Sequence, residues 1–92
     1  MTVKLAKRPE DLATVEELLS MSGLEFMRGI MEGRIAGPPI CEGMNYRLET
    51  VAEGRVSFVG TPEFGHLNPM GGTHGGWYGT LLDSCMACAL MT

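Results

Sequence analysis

GGTHGGWYGTLLDSCMACALMT, from Gly71 to Thr92, places a glycine cluster around His74 ahead of an apolar run in which Asp83 is the only charged residue. The run predicts a helix that starts near His74. The first N–H groups of a helix have no intrahelical partner, and the macrodipole adds partial positive charge there, so that end can hold an oxyanion. Gly75 and Gly76 carry no side chain that would keep a substrate carbonyl away from those N–H groups. Two adjacent glycines suit tight packing equally well, and the pair alone leaves both readings open.

Asp83 shifts the balance. On a helix, Gly76, Gly79, Thr80, Asp83 and Ala87 share one face by three- and four-residue spacing, so the carboxylate sits among small residues that leave room for a ligand or another backbone. Trp77, Leu81, Cys85 and Cys88 form a bulkier stripe suited to packing on a sheet. A carboxylate in so apolar a helix is costly to bury without partners, so it is either solvated or functional. Gly75 and Asp83 lie about 12 Å apart along a helix axis. One carbonyl cannot touch both. If both act on one substrate, Asp83 comes from a second copy whose helix runs antiparallel, and a two-fold dimer is the smallest working unit.

Upstream, Leu12, Val15, Leu18 and Leu19 recur at helical spacing after Pro9, with Thr14 and Glu17 placed as a capping box; Ser22 and Glu25 repeat the box. Met27, Ile30 and Met31 share the face of a second helical stretch that stops near Gly33. AGPPI, from Ala36 to Ile40, is expected to break any helix and deliver an extended chain. Met44, Tyr46 and Leu48 then alternate with Asn45, Arg47 and Glu49, and Val56 and Phe58 resume the alternation. Ala52, Glu53 and Gly54 make the connection of an antiparallel hairpin, with Gly54 suited to a left-handed conformation. The expected organisation is one domain over 1–92: a helical segment at 1–35, a hairpin at 41–63, a site loop at 64–73 and a helix at 74–92.

A formal charge of −4 provides no basic field for nucleic acid. Lys4, Lys7 and Arg8 are followed by Pro9, Glu10 and Asp11 where a signal peptide has its apolar core, and Leu81 to Met91 is too short for a membrane span and contains Asp83. The expected setting is cytoplasmic, with neither nucleic acid nor membrane as partner. Cys41, Cys85 and Cys88 read as reduced thiols. The Cys85 and Cys88 pair lies well inside an apolar helix, where core packing fits better than a redox dithiol. His66 and His74 lack a clear third ligand for a metal, and His66 suits a turn. No phosphate-loop or dinucleotide pattern occurs, no base stands at a defensible spacing from Ser84, and Ser57 lies in a strand. No metal and no cofactor are expected.

HLNPMGGTHGGWYGTLLD, from His66 to Asp83, resembles the signature of the hotdog-fold acyl-coenzyme A thioesterases of the phenylacetic acid degradation type. In that family an asparagine lies six residues before the histidine of a His-Gly-Gly turn, and an acidic residue lies nine after it. Asn68, His74, Gly75 and Asp83 stand at those spacings, and the likeness extends upstream through GRVSF and SGLEFMRGIMEGRIAGPPI to Ser22. The resemblance implies an α+β hotdog fold, in which an antiparallel sheet wraps a central helix, and a homodimer or homotetramer that hydrolyses an acyl- or aryl-coenzyme A thioester. It implies that the Gly75 N–H polarises the thioester carbonyl, that Asn68 and His74 assist there, and that Asp83 of the partner subunit is general base or nucleophile. Gly76 and Thr80 would border the substrate. Most strands of the family's sheet follow the central helix, so the expectation is an incomplete domain holding its N-terminal part, without the later coenzyme A contacts.

Overall fold

Two reciprocal caps start the first helices. In the computed structural model, which describes residues 3–92, a 3-10 turn at Pro9–Asp11 precedes α1, Val15–Leu19, and α2, Gly23–Met31. The Thr14 hydroxyl accepts from the Glu17 N–H while the Glu17 carboxylate accepts from the Thr14 N–H; Ser22 and Glu25 do the same for α2. Each box satisfies two donors that the helix itself cannot. The bonds from Ser22 also hold the Glu25 carboxyl below its usual range. All of α1 is exposed, whereas α2 buries Met27, Gly29 and Ile30.

The AGPPI stretch departs from expectation. Gly37 is extended and exchanges backbone hydrogen bonds with the N-terminal segment, from its own N–H to the Lys4 carbonyl at 2.7 Å and from the Ala6 N–H to its carbonyl at 2.9 Å. After Gly37 the chain turns into a short helix, α3, Ile40–Met44, with Pro39 already at helical angles of φ −58° and ψ −27°. Proline is excluded from helix interiors but fits the first turn, where its fixed φ is helical and its missing N–H costs nothing. The two prolines therefore start a helix here. Met44 belongs to α3 and not to a strand, and the hairpin begins at Tyr46, later than position 41. Asn45, at φ 52°, ends α3 in the left-handed conformation that asparagine tolerates.

β1, Tyr46–Ala52, and β2, Arg55–Gly60, form an antiparallel pair, Tyr46 opposite Gly60 and Leu48 opposite Phe58. Gly54 turns the hairpin at φ 70°. The register shifts between Leu48 and Thr50, a bulge at Glu49 that brings Val51 rather than Thr50 to the inner side. Leu48 packs with Met27 and Ile30 of α2 in the buried centre, and Phe26, Ile35, Val56, Phe58 and Cys88 close around it. The last helix, α4, Gly75–Met91, buries Trp77 and places Leu81, Cys85 and Cys88 at half-buried positions, as their stripe predicts. Its other side is open: Tyr78, Leu82, Met86 and Leu90, spaced by four, are all exposed, Leu90 at 89%. Thr92 caps α4, its hydroxyl donating to the Ala89 carbonyl and accepting from the Gly54 N–H, which ties the helix end to the hairpin turn. The described residues thus form a small α+β structure of one two-stranded antiparallel sheet and four helices, none of them long and apolar enough to cross a membrane.

Where α2 begins, Gly23 lies so close to the end of α4 that an added Cβ would stand 1.8 Å from the Met91 carbonyl oxygen. Helix propensity alone favours alanine by about 1 kcal/mol, yet the obstacle is backbone and cannot swing away. Gly23→Ala is expected to lower stability by about 1–3 kcal/mol, as overpacking does, measured as a lower urea midpoint; a raised midpoint would remove the close approach. Alkali offers a second check. Burial, with Cys88 nearby, pushes the Cys41 thiol from 9.0 up to about 11. The folded state then keeps a proton that the unfolded chain releases, so stability falls as pH rises from about 9 to 11. Cys41→Ala is expected to flatten that fall in urea titrations, leaving the slope due to Tyr46 and Cys88, both also raised by burial.

Candidate functional site

The loop before α4 is closed by its own polar groups. The Asn68 carbonyl oxygen Oδ1 accepts from the N–H groups of Met70 at 3.0 Å and Gly72 at 3.1 Å, and its backbone pairs with Gly71 and Gly72. Such side-chain capture of local amides is what lets Asx residues organise turns. Gly71 completes the bend at φ 86°. His66 sits in a 3-10 turn, Phe64–His66, and its Nδ1 accepts from the Glu63 N–H at 2.8 Å. The ring proton is therefore on Nε2, which donates to the Gly43 carbonyl at 2.7 Å. Beside it, the Trp77 Nε1–H donates to the Met44 carbonyl at 2.7 Å. Both acceptors are end carbonyls of α3 that have no helical partner, so α3 anchors the loop and the start of α4 together.

His74 is the N-cap of α4, its Nδ1 accepting from the Gly76 N–H at 2.8 Å while its carbonyl accepts from the Trp77 N–H at 3.0 Å. Of the three amides at positions 75 to 77, only that of Gly75 has no partner among the described residues. A Cβ built at Gly75 would meet nothing within 4 Å, so open space lies beside it. Since Nδ1 is an acceptor, the His74 Nε2 carries the ring proton in the neutral side chain and gives the same end a second donor. No acidic side chain lies in the first turn of this 17-residue helix, which leaves the positive end of its dipole uncompensated.

The other site residues are distributed differently. Asp83 is exposed on the open side of α4, about 12 Å along the axis from Gly75. Its neighbour Ser84 shares a 2.7 Å hydrogen bond with the Tyr46 hydroxyl, docking the middle of α4 on β1. Burial pushes the Tyr46 hydroxyl up, against the lowering effect of the Ser84 bond, and the negative charge of Asp83 adds to the rise. The Thr80 hydroxyl donates to the Gly76 carbonyl at 2.7 Å, a bond within the helix. His74, Gly76 and Thr80 line a shallow groove of about 320 Å³ with His66, Trp77 and Met44; Asn68, Gly75 and Asp83 do not line it. Within one chain the structure thus brings the loop residues and the helix start together and leaves Asp83 apart. Among the described residues no three His, Cys, Asp or Glu side chains are grouped to hold a metal ion.

His66 with Gly43 and Tyr46 with Ser84 are among the polar pairings that have no local sequence signal. Both join residues far apart in the chain. The inward phase of Tyr46 on its strand and the half-buried side of α4 that carries Ser84 are the nearest hints. Compared with protein-family models, with curated proteins and with solved structures, the chain matches none of them.

Trp77→Phe keeps an aromatic ring, removes the donor to Met44 and also takes away part of a buried side chain, so lost packing adds to the lost hydrogen bond. Leaving a carbonyl unpaired at this part-buried contact costs about 1–3 kcal/mol, so the urea midpoint is expected to fall. An unchanged midpoint would mean that α3 does not anchor the helix start.

Proposed function

We propose that the chain is a subunit of a hotdog-fold thioesterase of the phenylacetic acid degradation type, hydrolysing an acyl- or aryl-coenzyme A thioester at a site shared by two copies. The observation that carries this reading is the unpartnered Gly75 amide at the N-terminus of α4, beside the His74 ring and facing open space. Such an amide accepts the charge that develops on a thioester oxygen under attack. The reading also draws on the Asn68, His74, Gly75 and Asp83 spacing.

Catalysis then needs a carboxylate that one chain does not bring to Gly75. A second α4 running antiparallel would present its own Asp83, and by two-fold symmetry the reverse contact forms as well. With Gly75 opposite the partner's Asp83 the two-fold axis passes near Gly79, so of the exposed apolar side chains on α4 only Tyr78 and Leu82 would lie against the partner helix. The chain would act as a dimer or a dimer of dimers. Water attacks the thioester carbon, the partner's Asp83 takes the water proton, the oxyanion rests on Gly75, and as the C–S bond breaks Asp83 returns that proton to the departing thiolate, releasing coenzyme A and the free acid. Alternatively Asp83 attacks directly, forming an acyl anhydride that water opens. Asn68 positions the turn and His74 the helix start, while Gly76 and Thr80 border the groove. A non-catalytic acyl-thioester-binding or assembly subunit is the second reading; it is favoured by the Asn68 carbonyl and Thr80 hydroxyl being engaged within the chain.

Gly75→Pro tests the amide in isolation. Proline suits the first helical position, and His74 already has the extended angles, φ −64° and ψ 136°, that a following proline demands. Stability is expected to hold, while thiol release from phenylacetyl- and straight-chain acyl-coenzyme A falls by about 10²–10³ in kcat. Asp83→Asn is expected to abolish turnover. Mixing the two inactive variants should restore about one quarter of the activity, since random pairing makes half the dimers mixed and each mixed dimer has one intact site. Full turnover in Asp83→Asn would overturn the catalytic role. Failure of the mixture to recover would overturn the shared site.

A further inference from the structure

A partly enclosed cavity of about 340 Å³ lies between the N-terminal segment, α2, β1 and the last turns of α4. Leu5, Met27, Ile30, Leu48, Cys88 and Met91 contribute to its walls, which are almost wholly apolar. It shares no residue with the site around His74 and Asp83. The one charged residue on its lining is Arg47, which stands exposed beside buried Leu48 on β1 and makes no ion pair or side-chain hydrogen bond among the described residues. Glu49, two residues along the same strand, is engaged by the Ser57 hydroxyl.

We infer that this cavity binds a straight-chain carboxylate of about a dozen carbons, its chain against α2 and the end of α4 and its carboxylate on Arg47. The size follows from volume: an apolar cavity of about 150 Å³ holds the six carbons of benzene, and this one is more than twice as large. Water is a poor occupant, because an ordered water needs two to four polar partners that such walls do not offer. The chemistry of the lining selects the ligand: an apolar chain is drawn in by burial, and a free guanidinium at its edge favours a planar carboxylate over an uncharged head. Burial keeps the Cys41 and Cys88 thiols of the wall protonated, so no charge inside opposes the chain. The site holds independently of any thioester hydrolysis.

Calorimetric titration with octanoate, decanoate, dodecanoate and tetradecanoate, each below its micelle concentration, tests the inference. Saturable one-to-one binding is expected, with affinity rising about fourfold per added methylene and levelling off beyond about twelve carbons, where the cavity is full. Arg47→Gln should weaken dodecanoate about tenfold and leave dodecanol unaffected. Ala13→Trp, placed on the cavity lining in an irregular segment outside the helices, should block both ligands while far-ultraviolet circular dichroism stays unchanged. No saturable binding, affinity independent of chain length, or equal weakening of the acid and the alcohol in Arg47→Gln would overturn the proposal.

Discussion

Two ring N–H groups donating to two neighbouring carbonyls hold this structure in its working shape. His66 and Trp77 come from the loop and from the first turn of α4, and they meet Gly43 and Met44 at the end of α3. The next residue, Asn45, reverses the chain into β1 and also receives the chain leaving β2, with the Thr61 N–H on its carbonyl and its own side-chain amide on the Thr61 carbonyl at 2.8 Å. Four segments therefore converge on three consecutive residues. A helix of five residues is too short to persist alone; here its unsatisfied carbonyls serve as the docking points, so the weakness of the element and its usefulness have one cause.

The same fixing explains how α4 lies across the sheet. Trp77 pins its start, Ser84 joins Tyr46 in its middle, and Thr92 joins Gly54 at its end. Three polar contacts along one side reinforce the helix rotation that the stripe of Trp77, Leu81, Cys85 and Cys88 favours and that the apolar residues on the other side oppose. An amphipathic helix is oriented by the side it must hide. This one carries apolar side chains on both sides, so directional hydrogen bonds add to its specificity.

Local rules made much of the fold legible. Both capping boxes form because their partners lie three residues apart, and Gly54 turns the hairpin because only the flanking strands and its own backbone decide it. Long-range or chemically two-sided features were hidden. Pro38 and Pro39 break helices from within yet start them at the first turn, and nothing in AGPPI alone distinguishes the cases. The bulge at Glu49 is a property of two strands together, and no alternation along one strand reports it. At the candidate site, spacing marked Gly75 and Gly76 alike, since both lie in the first turn. The resemblance assigned the oxyanion role to Gly75, and the physical difference between the two amides lies in the His74 rotamer, which consumes that of Gly76 and leaves that of Gly75.

That consumption gives the histidine a role that serine or threonine would fill differently. Any side-chain acceptor at the cap satisfies an early amide, and a hydroxyl does so compactly. An imidazole that accepts through Nδ1 must, when neutral, carry its proton on the opposite nitrogen. Capping by His74 thus places an outward N–H at the end of α4 that already presents the free Gly75 amide. Two donors fixed to one rigid helix need no rearrangement when charge appears in front of them, which is the condition under which hydrogen bonds stabilise a transition state more than a ground state. In the proposed thioesterase the cap and the oxyanion site would be one arrangement, and a replacement that capped the helix equally well would still remove half of its donors.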